Sequence, residues 1–581
     1  MADSYIIAID FGTAYSGFAF SLTEREAEID PRLKYWGQQV SLRTPKTPTC
    51  ILFDEHEEFL SFGYEAQSVY FRLRGEEARK KFFFEFFKMS LYGRELNSDV
   101  TIEAANGKLV KALKVFTEAL RYLKEDALKF ISETTGGSLK FTASDFTWVL
   151  TVPAIWDPSA KQFMREAATQ AGIVIKGKED RLTIALEPEA ASVWCKKLPA
   201  DGFQTENQVT FDQTSGTQYI VVDCGGGTID ITVHEVLDRG ALKELHKASG
   251  NDFGGQTVDR KFKEFLKEIF GDSLWDKYER EHPGEMQKMI HQVSVLKETD
   301  DDVEISCPYN LGEIANEKQE IEKFFESVRG ASWNQGSIKI SKEKVRSFFA
   351  ESLNGITKIL REILKKDLRI EYILLVGGYA NSKILHQHIN SQFGDQFKVL
   401  RPSHPQEAIM KGAVMFGRNP AVVASRISTY TYGVSLFQRF DESNHRADKK
   451  FTNTEGEWCN DIFCVLVKED EEVAWDQTKE YIFTPIESDL TQFTFAFYRT
   501  QRKIKKLIYV DEWGIEKIGS IVLESPDTTH GTDRQLQLEI KFGATEMTAT
   551  ATDKDSGSTV KIELDFMAKS ERSFRNSVWQ Q

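Results

Sequence analysis

The sequence has few cysteines and lacks any long apolar run. Its 581 residues include only six cysteines, none in a CxxC pair or at Cys/His metal spacing: Cys50, Cys195, Cys224, Cys307, Cys459 and Cys464. A disulfide framework is usually denser, so we expect reduced thiols and an intracellular protein, cytoplasmic or alternatively nuclear. No run of about 18 apolar residues occurs, and MADSYIIAID has no basic n-region. We therefore expect neither a membrane span nor a signal peptide.

Positive charge is also scarce. There are 74 Lys and Arg residues against 89 Asp and Glu, which leaves a formal net charge of −15. Nucleic acids and anionic membranes are polyanions, so this balance argues against a general nucleic-acid or membrane-surface binder. The 10 histidines show no HExxH motif. With 41% hydrophobic and 28% charged residues, the composition is typical of a globular chain.

The pattern of apolar residues changes once along the chain. Up to about residue 425, strands alternate with amphipathic helices such as 109–131, which predicts an α/β fold. From 426 to 567, short runs of period two are separated by turn signals, which predicts an antiparallel β-domain. Residues 568–581 form a short polar tail.

Two distant segments follow one plan of strand, Asp, Gly-Thr turn and strand. IAIDFGTAYSGFAF places Asp10 before Gly12 and Thr13, and VVDCGGGTIDITV places Asp223 before the turn at residues 225–228. The repetition predicts a duplicated unit. A Gly-rich turn between strands directs several backbone N–H groups at one anion, so each turn is a candidate phosphate site. A Walker loop or dinucleotide fingerprint would open a helix, whereas a strand follows both turns.

Three aspartates beside these turns are candidate magnesium residues. Mg²⁺ bound to nucleotide phosphates keeps most of its waters, and carboxylates hold those waters. We predict that Asp10, Asp223 and Asp230 surround one such ion through waters. The alternative is that Asp10 and Asp230 cap turns, as aspartate often does. The repetition of the plan favours the metal hypothesis.

Six motifs in chain order resemble the nucleotide-site motifs of the 70-kDa heat-shock protein family, within the actin-like ATPase superfamily. They are AIDFGTAYSGFAF, LTVPAIWDPSAKQFMREAATQAGI, IALEPEAAS, VVDCGGGTIDITV, LLVGGYANSKIL and HPQEAIMKGAVMFG. The resemblance continues from IGSIVLES to STVKIEL, which is similar to the latter half of the family's β-rich substrate-binding domain. The divergence, the segment ISTYTYGV and the missing C-terminal helical lid are most similar to the 12A/12B-type branch.

The resemblance implies a fold and its ligands. It implies a two-lobed actin-like ATPase domain of duplicated ribonuclease H-like halves over 1–425, with lobe I at about 1–190 and lobe II at about 215–425. An antiparallel β-sandwich-like domain without a helical lid follows over 426–567. The implied cofactors are ATP or ADP with Mg²⁺, and the implied partners of the β-domain are protein clients or other proteins.

The resemblance also implies roles for individual residues. Glu187 corresponds to the carboxylate that orients the attacking water alongside Asp223, and Asp10 belongs to the same catalytic group. Lys88 corresponds to a lysine near the γ-phosphate, where a fixed positive charge stabilises the transition state. Taken alone, Lys88 would be expected on the solvated surface. The nucleotide-contacting residues implied are Gly12, Thr13, Ala14, Tyr15, Gly225, Gly226, Gly227, Thr228, Gly377, Gly378 and Tyr379.

Departures from the family pattern leave two functions open. Ala14 stands where the family usually has a second Thr, Tyr379 and Asn381 replace a Ser and an Arg, and Lys161 replaces an Arg. The interdomain linker is not recognisable around 420–430. We expect an ATP-binding chaperone-like protein with slow Mg²⁺-dependent hydrolysis coupled to protein binding. The alternative is a nucleotide-sensing adaptor or scaffold with little or no hydrolysis. A sugar kinase would leave the β-domain unexplained.

Overall fold

The computed structural model describes residues 5–23, 30–94, 96–137, 140–204, 210–504, 506–542, 545–563 and 567. Within these ranges the chain forms 13 α-helices and 31 strands, so the predicted mixed α/β architecture is confirmed. The predicted tail at 568–581 lies outside the described residues. None of the helices in these ranges is long and apolar enough to cross a bilayer.

A six-stranded sheet carries the first glycine turn. Its order is Leu182–Leu186, Phe146–Val152, Tyr5–Phe11, Tyr15–Ser21 and Arg32–Leu33, with Thr47–Pro48 also paired to Tyr15–Ser21. Tyr5–Phe11 and Tyr15–Ser21 form an antiparallel hairpin, and the other two long strands run parallel to the first. Tyr5–Phe11 is buried except at its first residue, as expected for a strand covered on both faces.

An eight-stranded sheet carries the second glycine turn. Its order is Phe203–Gln204, Lys398–Pro402, Ile370–Val376, Gln218–Cys224, Ile229–Val236, Leu242–Asn251, Val423–Ile427 and Glu472–Ala474. Here too an antiparallel hairpin lies beside two parallel strands. Asp10 and Asp223 are each the penultimate residue of the first hairpin strand. The two turns therefore occupy equivalent places in sheets of the same pattern, as the repeated sequence plan predicts.

Two helices pack together between the two sheets. Glu187–Cys195 and Ala408–Arg418 approach so closely that a β-carbon on Gly412 would lie 1.7 Å from the Ala190 carbonyl oxygen. Apolar residues of both helices and both sheets form one buried cluster. This packing places the first residue of one helix, Glu187, at the level of the glycine turns.

The remaining helices and small sheets complete the α/β region. The helices are Gly63–Tyr70, Gly75–Lys80, Ala112–Thr134, Pro158–Gln170, Gly255–Phe270, Asp272–Glu281, Pro283–Leu296, Tyr309–Asn316, Lys342–Phe348, Ala350–Ile363 and Lys383–Phe393. The small sheets are formed by Cys50–Phe53, Phe59–Phe62 and Phe82–Glu85; Thr101–Glu103 and Leu109–Lys111; and Val303–Ser306, Ala331–Asn334 and Ser337–Ile340. The helix predicted at 109–131 begins at Ala112, because Leu109–Lys111 pairs as a strand.

Two antiparallel sheets make up most of the C-terminal region. One has the order Lys450–Asn453, Gly456–Val467, Thr431–Arg439, Gln492–Thr500 and Glu516–Glu524, and the other Thr478–Phe483, Leu536–Lys541, Thr548–Asp553 and Thr559–Glu563. Their alternating apolar residues share one core cluster. The period-two pattern of the sequence arises from this one-sided burial.

The α/β and C-terminal regions are joined through strand pairing. Val423–Ile427 runs parallel to Leu242–Asn251, and Glu472–Ala474 from the C-terminal region pairs antiparallel with Val423–Ile427. The domain boundary that we predict at 425/426 therefore falls inside a strand of the eight-stranded sheet. Non-local pairing of this kind leaves no local sequence signal, which is why the composition shift alone places the boundary there.

Candidate functional site

The two glycine turns are in direct contact. A β-carbon placed on Gly226 would lie 2.7 Å from the Ala14 β-carbon, and one on Gly227 would lie 2.8 Å from Thr13 Oγ1. Real β-carbons essentially never approach other atoms within 3.0 Å, so these positions accept only glycine without a shift of a neighbour. The glycines thus allow two turns, far apart in sequence, to come together.

The second turn is fixed through its carbonyl oxygens rather than through its N–H groups. The carbonyl oxygens of residues 225–227 accept hydrogen bonds from the N–H groups of residues 254–256, at the start of helix Gly255–Phe270. In the described part of the chain, the N–H groups of residues 13–14 and 226–227 donate to no acceptor. Backbone N–H groups are usually paired in folded proteins, so this set fits the binding of an anion.

Two buried lysine–carboxylate pairs lie beside the turns. Lys46 Nζ is 2.5 Å from Asp10 Oδ2, while Asp10 Oδ1 accepts a 3.0 Å hydrogen bond from the Thr151 hydroxyl. Lys88 Nζ is 2.6 Å from Glu187 Oε1, and Lys88 is only 1% exposed. The structure therefore brings the predicted residues Asp10, Lys88 and Glu187 together, and Lys88 is buried rather than on the surface.

Asp223 and Asp230 face each other across the second hairpin. Within the described residues, neither Asp223 oxygen nor Asp230 Oδ2 has a hydrogen-bond partner, whereas Asp230 Oδ1 accepts from the Ile155 N–H at 2.9 Å. Burial raises the pKa of Asp223 well above its usual range, and the neighbouring carboxylates of Glu187, Asp230 and Asp10 raise it further. Burying unpaired carboxylates is costly, so the site fits an additional cation.

The carboxylates do not converge for direct metal ligation. Among the described residues, no group of three or more His, Cys, Asp or Glu side chains is close enough to hold an ion. A site in which carboxylates contact the waters of Mg²⁺ needs no such convergence. The orphaned oxygens of Asp223 and Asp230 therefore fit the predicted water-mediated ion, and the metal role of these residues and of Asp10 stays a prediction.

Glu187 is a buried carboxylate with a raised pKa. Burial raises its pKa to about 7, with Asp10 and Asp230 adding to the rise and Lys88 opposing it. A base whose pKa is near the working pH is both available and strong enough to accept a proton. The helix Glu187–Cys195 holds this carboxylate against Lys88, so its position is fixed by packing.

A cleft opens beside the second turn. It has a volume of about 610 Å³ and is lined by Gly227, Glu85, Phe86, Phe253, Gln256 and Met286, among others. This volume lies within the usual range of small-molecule sites, roughly 300–1,000 Å³. The cleft is thus a candidate for the nucleoside part of a nucleotide whose phosphates lie at the turns.

The glycine pair Gly377–Gly378, which the resemblance places at the nucleotide, has surroundings different from those of the two glycine turns. Gly377 has φ +85°, and a β-carbon there would lie 2.3 Å from Asp223 Oδ1, so this glycine allows the close approach of Asp223. Gly378 faces open space. The Tyr379 ring is buried and stacks on Phe349 with centroids 6.1 Å apart, so it is used in packing. Nucleotide contact by these three residues stays a prediction.

Three side chains at the first turn could not be identified from sequence motifs: Lys46, Thr49 and Thr151. Lys46 is 36 residues from Asp10, and no motif marks it. Thr49 donates from its hydroxyl to the Gly12 carbonyl oxygen at 2.7 Å, and its N–H donates to the Ala14 carbonyl oxygen at 2.8 Å. These residues act through tertiary contacts with the first turn, which local spacing does not reveal.

Comparisons with known proteins show which family the chain belongs to. The family model described as Hsp70 protein matches residues 7–424. The chain is 32% identical to Heat shock 70 kDa protein 12A of Homo sapiens over 97% of this chain and 91% of that protein. Heat shock 70 kDa protein 12B of Homo sapiens shows the same identity and coverage. Chaperone protein DnaK of Thermosipho melanesiensis is 22% identical over 71% of this chain and 58% of that protein. The resemblance to the 12A/12B-type branch is confirmed, and the chain belongs to the Hsp70 protein family.

Proposed function

We propose that this protein binds ATP or ADP with Mg²⁺ at the two glycine turns and hydrolyses ATP slowly. One observation carries the proposal. Among the residues that the structure describes, backbone N–H groups without acceptors, in two turns that touch, lie beside buried carboxylate oxygens without partners. Membership of the Hsp70 family supports nucleotide binding independently of this geometry. The first feature suits phosphate groups, and the second suits the cation that accompanies them.

We assign the architecture accordingly. Residues 1–190 and 215–425 are the two lobes of an actin-like ATPase domain, with the nucleotide between them. Residues 426–567 form a β-sandwich-like domain that contacts protein clients or partners. The repeated pattern of the two large sheets and the shared core of the two C-terminal sheets support this division.

The side chains then have separate roles in hydrolysis. Mg²⁺, when bound, neutralises phosphate charge, and Asp223 and Asp230 would hold its waters. Lys88 provides a fixed positive charge beside the phosphates, which stabilises charge developing in the transition state. Glu187 orients the attacking water and accepts its proton, since its pKa of about 7 leaves much of it ionised at neutral pH.

A buried ion pair supports coupling between this site and the C-terminal region. Arg426 lies in strand Val423–Ile427 and donates to both oxygens of Glu189, at 2.8 and 2.7 Å. Glu189 is two residues after Glu187 in the same helix. A displacement of that helix would therefore move Arg426 and the strand that leads into the β-domain.

Two further ion pairs lie across the same junction. Asp157 accepts a 2.6 Å hydrogen bond from Arg499, and Arg165 pairs with Glu546. These pairs border a cavity of about 250 Å³ that also contains Lys161, whose pKa is lowered first by burial and then by Arg426. The junction is therefore polar and charged, as interfaces between mobile domains often are.

A nucleotide-sensing adaptor is the second candidate function. Ala14 carries no hydroxyl and its methyl group lies against Gly226, so the first turn offers one fewer hydrogen-bond donor than a threonine there would provide. Such a site would still bind phosphates through its backbone N–H groups. It would change protein contacts with nucleotide state while hydrolysing little.

Phosphate release in single-turnover conditions, measured beside calorimetric binding, tests the proposal. We expect wild type to bind and slowly hydrolyse Mg·ATP, and Glu187→Gln to bind but not hydrolyse. Binding without turnover in wild type would favour the adaptor, unless ATP also accelerates release of an unfolded peptide. Wild type that binds no nucleotide would overturn both functions.

A further inference from the structure

The two hairpins differ at one equivalent position. Asp223 is opposite Asp230 in the second hairpin, whereas Asp10 is opposite Gly17 in the first. A β-carbon on Gly17 would lie 3.1 Å from Lys46 Cγ and 2.8 Å from the Pro45 carbonyl oxygen. Gly17 therefore leaves room for the stem of Lys46, which lies just before the strand Thr47–Pro48 that pairs with the first hairpin. A lysine side chain thus lies against the first hairpin at the position where the second hairpin has a carboxylate.

Lys46 is firmly held beside the first turn. Its neighbours Thr47 and Pro48 pair with the strand that follows the turn, in register Ser16 to Thr47 and Tyr15 to Pro48. Its side chain is buried, and its Nζ lies 2.5 Å from Asp10 Oδ2. The lysine position is therefore set by the strand pairing and by its carboxylate partner.

The Lys46 ammonium group has unused hydrogen-bonding capacity. A lysine ammonium group has three N–H donors, and in the described part of the chain Asp10 is its only acceptor. Two donors of a buried cation are thus left without a protein partner, next to a turn whose own N–H groups lack acceptors. A second anionic acceptor would satisfy both sets of donors at once.

We propose that Lys46 is a phosphate-binding residue of the nucleotide site, held in position by Asp10. The inference rests on the proposed nucleotide-binding function and adds a residue to it. Lys46 lies beside the first turn and is paired with Asp10, just as Lys88 is paired with Glu187. Asp10 already has Lys46 and Thr151 as partners, so the orphaned oxygens of Asp223 and Asp230 are the ones left for the magnesium waters.

Calorimetric titration with Mg·ATP tests the inference in three variants of the full chain. Lys46→Met removes the ammonium group and keeps the length of the stem. We expect it to weaken ATP binding about 10- to 100-fold, the loss typical for one hydrogen bond to a charged group. Lys34→Met is the matched control, because Lys34 pairs with Asp126 at 2.6 Å, away from the turns. The control should bind ATP within about twofold of wild type.

The double variant Lys46→Met with Asp10→Asn separates binding from folding. It removes the buried negative charge that Lys46→Met leaves without its cation, so it should fold, and thermal unfolding of the nucleotide-free protein checks this. We expect it still to bind ATP at least about tenfold more weakly than wild type. Wild-type affinity in the single or the double variant would overturn the role of Lys46 while the nucleotide-binding function stands. Wild type that binds no ATP would overturn both.

Discussion

Replacement of Gly254 by alanine tests whether the second turn is positioned by helix Gly255–Phe270. Gly254 is the residue before that helix and has φ −66°, which alanine adopts easily, so only its contacts matter. Its β-carbon would lie 2.6 Å from Gly227 C, 2.7 Å from Gly226 O and 2.8 Å from Gly225 O. All three are backbone atoms of the turn. Ordinary contact begins at 3.4 Å, so the turn must move by up to 3.4 − 2.6 = 0.8 Å.

The expected loss of affinity follows from that displacement. Overpacking of this kind costs about 1–3 kcal/mol. If the turn relaxes to relieve the contact, its N–H groups leave their positions, and restoring them for ATP costs the same amount. We therefore expect ATP affinity to fall about 5- to 150-fold in Gly254→Ala. Isothermal titration calorimetry with Mg·ATP measures this directly.

A second glycine provides the control. Gly312 lies within helix Tyr309–Asn316, and a β-carbon there would have nothing within 4 Å. Gly312→Ala should leave ATP affinity unchanged and raise the free energy of unfolding by up to about 1 kcal/mol. Gly254→Ala with the affinity and unfolding temperature of wild type would refute the claim that the contacts of the turn determine its binding geometry.

Two further predictions concern the catalytic base and the interdomain pair. The pKa of Glu187 is raised to about 7 and a base must be ionised, so the single-turnover rate of wild type should rise with pH through about 7, while Glu187→Gln should show no turnover across the same range. A wild-type rate that does not change between pH 6 and 8 would contradict the assignment. Arg426→Ala should lower the free energy of unfolding by about 3–5 kcal/mol, because it removes the ion-pair partner of the buried Glu189. Urea unfolding measures this loss, and the double variant Arg426→Met with Glu189→Gln should recover part of it. A loss below about 1 kcal/mol in Arg426→Ala would contradict a stabilising role of the buried pair.

Local patterns in the sequence predict much of the α/β region. The two hairpins, at residues 5–21 and 218–236, could be predicted because runs rich in β-branched and aromatic residues flank each glycine-containing turn. The amphipathic helix Ala112–Thr134 follows from its apolar spacing, although its start does not. Lys88 and Glu187 lie in one site, as the motif resemblance to the 70-kDa heat-shock protein family implies. No spacing of residues in the sequence indicates that they meet.

The long-range contacts could not be predicted in this way. Lys46 reaches Asp10 because Thr47–Pro48 pairs with the strand after the first turn, and a two-residue strand has no periodic signal. Strand Glu472–Ala474 joins a sheet of the α/β region from within the β-rich part of the sequence. The Lys46–Asp10 pair and the pairing of this strand both join segments that are far apart in sequence. They form only when the whole chain packs, so no local pattern indicates them.

Asp223→Asn tests the central claim most directly, that the buried carboxylates are kept for a cation bound with nucleotide. Asp223 is 1% exposed, and burial raises its pKa well above the usual range of aspartate. The unfolded chain therefore loses this proton at lower pH than the folded protein does, so Asp223 destabilises the fold as the pH rises above the ordinary aspartate pKa. The neutral amide removes this penalty. At pH 7.5 we expect Asp223→Asn to unfold at the same or a higher temperature than wild type and to lose Mg²⁺-dependent ATP binding in calorimetry. Unchanged Mg·ATP binding by a folded Asp223→Asn variant would contradict the account.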